Sequence, residues 1–338
     1  MRKSGALMLV AVLGFAATVA VRAAMTEPDW AYAIAPPAPP APAGAPATPV
    51  DNTKYSLTGT PLQFTKAEIG NRAQPADWYP NEHPQMPDVV AKTAGNAIRA
   101  CSLCHYPNGK GRPENASVSG LPAEYVMQQL NDFRDGKRKS AEAKKANTLL
   151  MIGIAKSLSP DEMKQAADYF SAIKWTPWVR VVETNTVPKV ESHGGIWVPI
   201  EGAGAGKEPI GTRIIEVPEN AEHTEALKDP HSGFIAYVPV GAIKKGEALV
   251  KTGGNGKTTA CGYCHGPDLL GMGPVPGIAG RTASYLARQL YDMQAGARNG
   301  DWTQLMKPVV EKLTNEDLVN IVAYVSSRPV NGGSTATK

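Results

Sequence analysis

Two five-residue stretches carry the residue types and spacing that could do chemistry: Cys101-Ser102-Leu103-Cys104-His105 and Cys261-Gly262-Tyr263-Cys264-His265. Each reads Cys-x-x-Cys-His, the attachment signature of a c-type haem. Two thiols three residues apart lie about one helical turn apart, so each can bond one vinyl group of a single porphyrin. The histidine that follows is then held under the ring, where its imidazole can ligate iron. The two stretches use all 4 cysteines of the chain, and none remains for a disulfide. A zinc ribbon would place its two cysteine pairs roughly 15–20 residues apart, whereas here 160 positions separate Cys101 from Cys261. A thioredoxin-like redox pair accounts for neither the histidine nor the second copy. The residues predict two covalently attached haem c groups, one on Cys101 and Cys104 with His105 on iron, the other on Cys261 and Cys264 with His265 on iron.

A haem that carries electrons without binding small molecules needs a second axial ligand, commonly methionine. An internal repeat selects the candidates. Residues 124–138 match 284–298, with Tyr, Gln, Leu, Asp, Gly and Arg recurring in register at helical spacing. Each copy reads as an amphipathic helix ended by glycine, Gly136 or Gly296. Further on, Ser159 and Thr314 are N-caps for helices expected over 160–173 and 315–326. Met127, Met163, Met272 and Met293 align with other residue types, and only Met151 and Met306 align with each other. Both are expected in loops ahead of the last helix, from which a side chain can reach the distal face, and they are the expected sixth ligands.

The elements that position these residues divide the 338-residue chain. Residues 1–24 read as an export signal: Arg2-Lys3, an apolar run from Ala6 to Val21, then small residues around Ala23 and Ala24. An uncleaved membrane anchor is the other reading. Residues 25–54 are expected to be a Pro/Ala-rich disordered linker, with a polyproline tract from Pro36 to Pro49. Residues 55–176 would form the first haem domain, its polar, turn-rich start an arm packed upon it. Residues 177–240 alternate β-formers with Gly and Pro and predict a β-rich connecting segment. Residues 241–328 would form the second domain and 329–338 a flexible tail. The net charge of +4 includes Arg2, Lys3 and Arg22, leaving the exported chain near +1. Nucleic-acid binding is excluded by that balance.

On Cys-x-x-Cys-His, the Tyr-x-x-x-Gln-Leu helix ending Gly-x-Arg, the paired methionines and a terminal helix containing Tyr169 or Tyr324, the sequence resembles the class I dihaem cytochromes c of the cytochrome c4 type. The match covers about residues 86–176 and 241–328. The resemblance implies a mainly α fold of two tandem class I cytochrome c domains, here with the small β-rich connecting segment between them. It implies a periplasmic electron carrier, not an enzyme, passing single electrons between respiratory partners. Those partners would be a terminal oxidase, the bc1 complex or a periplasmic dehydrogenase, whose electron-accepting subunit it could be. It also implies that a proline carbonyl accepts from the proximal histidine. Pro276 occupies that position, while the first half has Ala116 there and Pro113 three residues earlier. The alternative from another class is a dihaem cytochrome c peroxidase, which needs one haem with an open distal side, whereas both halves keep the methionine.

Other residues carry two readings each. Arg138 and Arg298 either neutralise haem propionates or end a solvated helix. Lys137, Arg138, Lys139, Lys144 and Lys145 form a basic run that is either a docking face or solvated surface. Tyr125 and Tyr285 are expected in core or haem-edge packing, and His83, His193, His223 and His231 in surface or structural roles.

Overall fold

The computed structural model describes residues 25–34, 36, 51–93 and 99–330. The export signal, the rest of the Pro/Ala tract and residues 331–338 lie outside the described residues. Among the described residues no helix is long and apolar enough to cross a membrane.

Each half is built from helices that the repeat marks. Ala123–Arg134 and Ala283–Gln294 both turn out of the helix at a glycine in the left-handed region, Gly136 at φ +70° and Gly296 at φ +76°. The following helices, Pro160–Ala172 and Asn315–Ser326, begin with reciprocal capping boxes. The Ser159 and Thr314 hydroxyls accept the backbone N–H of Glu162 and Asp317, whose carboxylates accept the cap N–H groups in return. In the first half these helices enclose a core that includes Val90, Leu130, Ala155, Met163, Ala167 and Phe170. In the second half the helix Ala242–Thr252 lies against Asn315–Ser326 so closely that a Cβ on Gly246 would stand 1.8 Å from the Asn320 carbonyl oxygen.

Residues 177–240 hold the expected strands but do not stand apart from the helices. Val179–Glu183 pairs in parallel with Phe234–Val238, which pairs antiparallel with Ile215–Pro218. Phe234, Ala236 and Val238 point inward and are fully buried in one core with Leu318, Val322 and Ala283 of the second half. The buried Glu216 carboxylate accepts the Ala283 and Ser284 N–H groups, at 2.8 and 2.9 Å, and so fastens the sheet to the N-terminus of the helix Ala283–Gln294. A second hairpin, Val190–His193 with Ile196–Pro199, reaches the first half, where Arg112 Nη2 donates to the Gly194 carbonyl.

The N-terminal expectations need two corrections. Residues 25–34 are packed, not linker: Ala31 and Tyr32 are buried, and Tyr32 donates to the Asp292 carboxylate. Trp197 Nε1 donates to the Trp30 carbonyl and Arg288 to that of Ala31. The segment is short, but its aromatic rings bury enough apolar area to hold it. The Pro/Ala tract therefore joins two packed segments and is not a spacer leading from the export signal. The arm, in turn, packs on more than the first half. Trp78 Nε1 donates to the Leu227 carbonyl at 2.7 Å, and Tyr79 stacks on His231. On the first half itself, His83 bridges Asp77 at 3.1 Å and the Tyr169 hydroxyl at 2.9 Å, while that hydroxyl donates to the Pro107 carbonyl. The tail is also shorter than expected, because Val330 is buried.

Gly246→Ala is expected to cost roughly 3 kcal/mol, since a methyl group must force two helix backbones apart; the midpoint of urea unfolding measures it. Burial works to lower the pKa of His83, but the Asp77 carboxylate and the Pro84 carbonyl outweigh it and leave the pKa raised. Its contribution to stability is thus fully present below about pH 6.5 and is lost as pH rises through the higher folded-state value. Unfolding midpoints measured across that window should fall in the wild type and stay flatter in His83→Gln.

Candidate cofactor sites

In the first half, the short helix Cys101–His105 presents its side chains to a cavity between the helices of that half and the helix Ala283–Gln294 of the second. Cys101, Cys104 and His105 line it together with Met151 and the apolar residues Leu130, Ile154 and Phe170. His105 Nδ1 donates to the Ala116 carbonyl at 2.8 Å, which fixes the tautomer and leaves Nε2 as the free acceptor. Burial lowers the pKa of His105 and pushes the Cys101 thiol up to about 12. A neutral imidazole is what a metal ligand requires, while a buried, protonated thiol lacks the lowered pKa of a thioredoxin-like nucleophile. Paired thiols on one helix, an imidazole aimed past them and a thioether on the same cavity fit a covalent haem.

The second half repeats the short helix and the imidazole bond. Gly262–His265 is helical, and His265 Nδ1 donates to the Pro276 carbonyl at 2.8 Å. Burial lowers the pKa of His265 and raises that of Cys261 to about 11. Cys261 and Met306 both pack against the second core, as do Ile278, Leu286 and Leu290. The expected acceptor Pro276 is thus in place, and its first-half equivalent is Ala116. Pro113 instead accepts from Arg288. A backbone carbonyl serves at either residue type, which is why proline is dispensable there.

Neither methionine lies in an open loop. Met151 is inside the helix Ala146–Ser157, and Met306 is the junction between the 3-10 turn Asp301–Leu305 and the helix Lys307–Val310. The first helix is hidden in the sequence because Leu149, Leu150, Met151 and Ile152 are consecutive, so no 3.6-residue stripe marks it.

The two halves meet at the repeated arginines, and neither ends a solvated helix. Arg138 and Arg298 form an antiparallel bridge and both are buried. Arg138 donates to Gln129 in its own half and to Tyr285 and Gln289 in the other, each at 3.0 Å. Arg298 mirrors it, donating to Gln289 and, across the junction, to Tyr125 and Gln129. Lys139 N–H and Asn299 N–H donate to the Ala297 and Lys137 carbonyls and complete the seam. Tyr125 and Tyr285 are therefore acceptors as well as packing groups. Burial works to raise the Tyr285 phenol, but the Arg138 and Arg298 charges outweigh it and lower its pKa.

The basic run is not a single exposed face. Lys137 pairs with Asp301 across the seam, Arg138 is buried in it, and Lys145 is buried against the first cavity. Sequence reasoning missed Lys145 because a lysine among lysines carries no mark of burial. Two further differences separate the halves. Leu103, between the cysteines of the first motif, is 7% exposed, whereas its counterpart Tyr263 is 77% exposed. Leu270, Met272, Trp302 and Leu305 are also exposed, on segments flanking the second motif and Met306. The first motif has the β hairpin beside it, with Gly195 against Glu114.

Comparison with known proteins agrees with this geometry. Residues 243–329 match the cytochrome c family. The thiosulfate dehydrogenase electron acceptor of Thiomonas intermedia is 25% identical over 243 residues, covering 70% of this chain and 82% of that protein. Cytochrome c4 of Pseudomonas aeruginosa is also 25% identical over 243 residues, covering 70% and 87%. Cytochrome c-554(548) of Halomonas halodenitrificans is 37% identical over 76 residues, covering 22% of this chain and 92% of that protein. Motif, histidine geometry and relatives converge: the chain belongs to the class I c-type cytochromes as a cytochrome c4-like member, an electron-transfer protein that binds haem c covalently.

Proposed function

We propose that this protein carries two haems in tandem domains, one in each half, and moves single electrons between them and its redox partners. Cys101 and Cys104 hold the first haem with His105 and Met151 on its iron. Cys261 and Cys264 hold the second with His265 and Met306. The haem supplies the reversible one-electron couple; the chain supplies fixed axial ligands, a dry surround and a rigid spacing. The observation that carries the reading is the seam. Arg138 and Arg298 are two buried guanidiniums whose protein acceptors are all neutral. Their charge is available for haem propionates, with Arg138 already on the wall of the first cavity. Propionates gathered at the seam would bring the two haem edges together and favour exchange between them.

Partners and compartment follow from the same features. The signal-like residues 1–24 support export to the periplasm, where c-type haem is attached in bacteria. The exposed apolar residues about the second site, set against the covered first motif, support electron exchange with partners through the second haem. Relatives named as electron acceptors of thiosulfate dehydrogenase support an exported dehydrogenase as donor. A terminal oxidase or the bc1 complex remains on the other side of the route.

Purified protein should give two haems per chain by pyridine haemochrome, and its ferric form should show the near-infrared charge-transfer band of methionine sulfur on iron. Met151→Ala and Met306→Ala should each remove about half of that band, and the double variant all of it. A high-spin wild type that turns over peroxide would instead favour the peroxidase and overturn the carrier reading.

A further inference from the structure

The first cavity contains a cation that the arrangement described so far leaves unused. Lys145 is 7% exposed and lines the cavity together with Arg138, Asn147, His105 and Met151. Among the described residues its ammonium has no hydrogen-bond acceptor in hydrogen-bond range and no carboxylate oxygen within 4.0 Å. The charged groups nearest to it are Arg288, Glu114 and Asp292. Neither forms an ion pair with it: Glu114 Oε1 pairs with Arg112 while its Oε2 is buried without a partner among the described residues, and Asp292 Oδ1 accepts from Tyr32 and from the Ala141 N–H. Burial and the Arg288 charge push the pKa of Lys145 down to about 7. A largely buried ammonium that forms no ion pair with its nearest carboxylates is unfavourable, so its position on a cavity wall points to an anion inside.

The second half has no equivalent. Between Arg298 and Met306 the chain reads Asn-Gly-Asp-Trp-Thr-Gln-Leu, five residues shorter than the first-half connection and without a lysine. The charge is therefore an asymmetry added to a duplicated design.

We propose that Lys145 is a positioning residue whose ammonium pairs with a carboxylate of the haem in the first cavity and favours the reduced state of that haem alone. The inference rests on reading Cys101, Cys104, His105 and Met151 as a haem site. A nearby positive charge stabilises the electron added to the ring and iron. No bond forms or breaks; the electron comes from the redox partner and Lys145 keeps its proton.

The test is a spectroelectrochemical titration of the whole two-haem protein as wild type, Lys145→Gln and Lys145→Arg. In Lys145→Gln one of the two midpoints should fall by about a tenfold change in the one-electron equilibrium, about 59 mV, and the other should stay. Lys145→Arg should restore the wild-type value. Met151→Ala should move the same midpoint, which assigns it to the first site. The proposal is overturned if both midpoints of Lys145→Gln match the wild type, if both move equally, or if Lys145→Arg shifts as far as Lys145→Gln. Should Lys145→Gln lose its first haem, retention in Lys145→Arg supports the charge role and loss in both variants overturns it. Haem content and the near-infrared band of the wild type are measured first. Their failure would remove the haem-site reading itself, whereas the variant midpoints report on Lys145.

Discussion

Two guanidiniums buried against each other set the terms for the rest of this structure. Arg138 and Arg298 lie on one antiparallel bridge, and their partners are amide and phenol oxygens. Burying like charges together is costly, and neutral hydrogen bonds offset only part of that cost. The arrangement holds because each arginine takes acceptors from both halves, so that neither half can satisfy its own arginine alone. That reciprocity fixes how the halves meet. It also places the end of the first cavity at the seam, with Tyr285, Gln289 and Arg288 of the second half forming part of its wall. A duplicated helix ending in Gly-x-Arg thereby becomes an interface, because both copies end at the same place.

On this shared frame the surroundings of the two motifs diverge. The β segment is fastened to the second half through Glu216 and the common core, yet its hairpin extends to the Arg112–Glu114 pair beside the first motif. The arm closes from another side through Trp78, Tyr79 and His83. The first motif is consequently enclosed by segments that the plain two-domain pattern lacks. The second keeps its apolar surroundings in solvent. The added elements cover the first motif and leave its copy accessible, so the two motifs differ in what can approach them.

What the sequence made legible was whatever is local or repeated. Cys-x-x-Cys-His needs only a turn of helix to bring thiols and imidazole together, and the glycines and capping boxes that end and begin helices act within four residues. The repeat compared one half with the other and so singled out Met151 and Met306 among 10 methionines. What stayed hidden depends on long-range packing. The helix around Met151 carries apolar residues both toward the cavity and, at Leu149, toward solvent, so its periodicity is erased. Residues 25–34 resembled the start of a linker, and only contacts more than 150 residues away, to Trp197, Ser192 and Asp292, hold them. Arg138 and Lys145 sat within a basic run, and nothing local distinguishes a buried cation from its solvated neighbours.

The acceptor for the proximal histidine shows how a departure from pattern can leave chemistry intact. Ala116 and Pro276 differ as side chains but present the same carbonyl at the same 2.8 Å. What the imidazole requires is an oriented acceptor on Nδ1, since that bond sets the tautomer and leaves Nε2 free to accept. Proline supplies rigidity at that point through its fixed φ. In the first half, Asn115 supplies a substitute one residue earlier, donating to the Cys104 carbonyl while its own amide oxygen accepts from Asn147. The loop after the first motif is thus tied to the helix Cys101–His105 and to the base of the Met151 helix by side-chain bonds. In the second half the same loop is tied by the short pairing of Gly271–Met272 with Val275–Pro276. Two different restraints hold one backbone geometry, and the restraint in the first half joins the loop after the motif to the element bearing Met151.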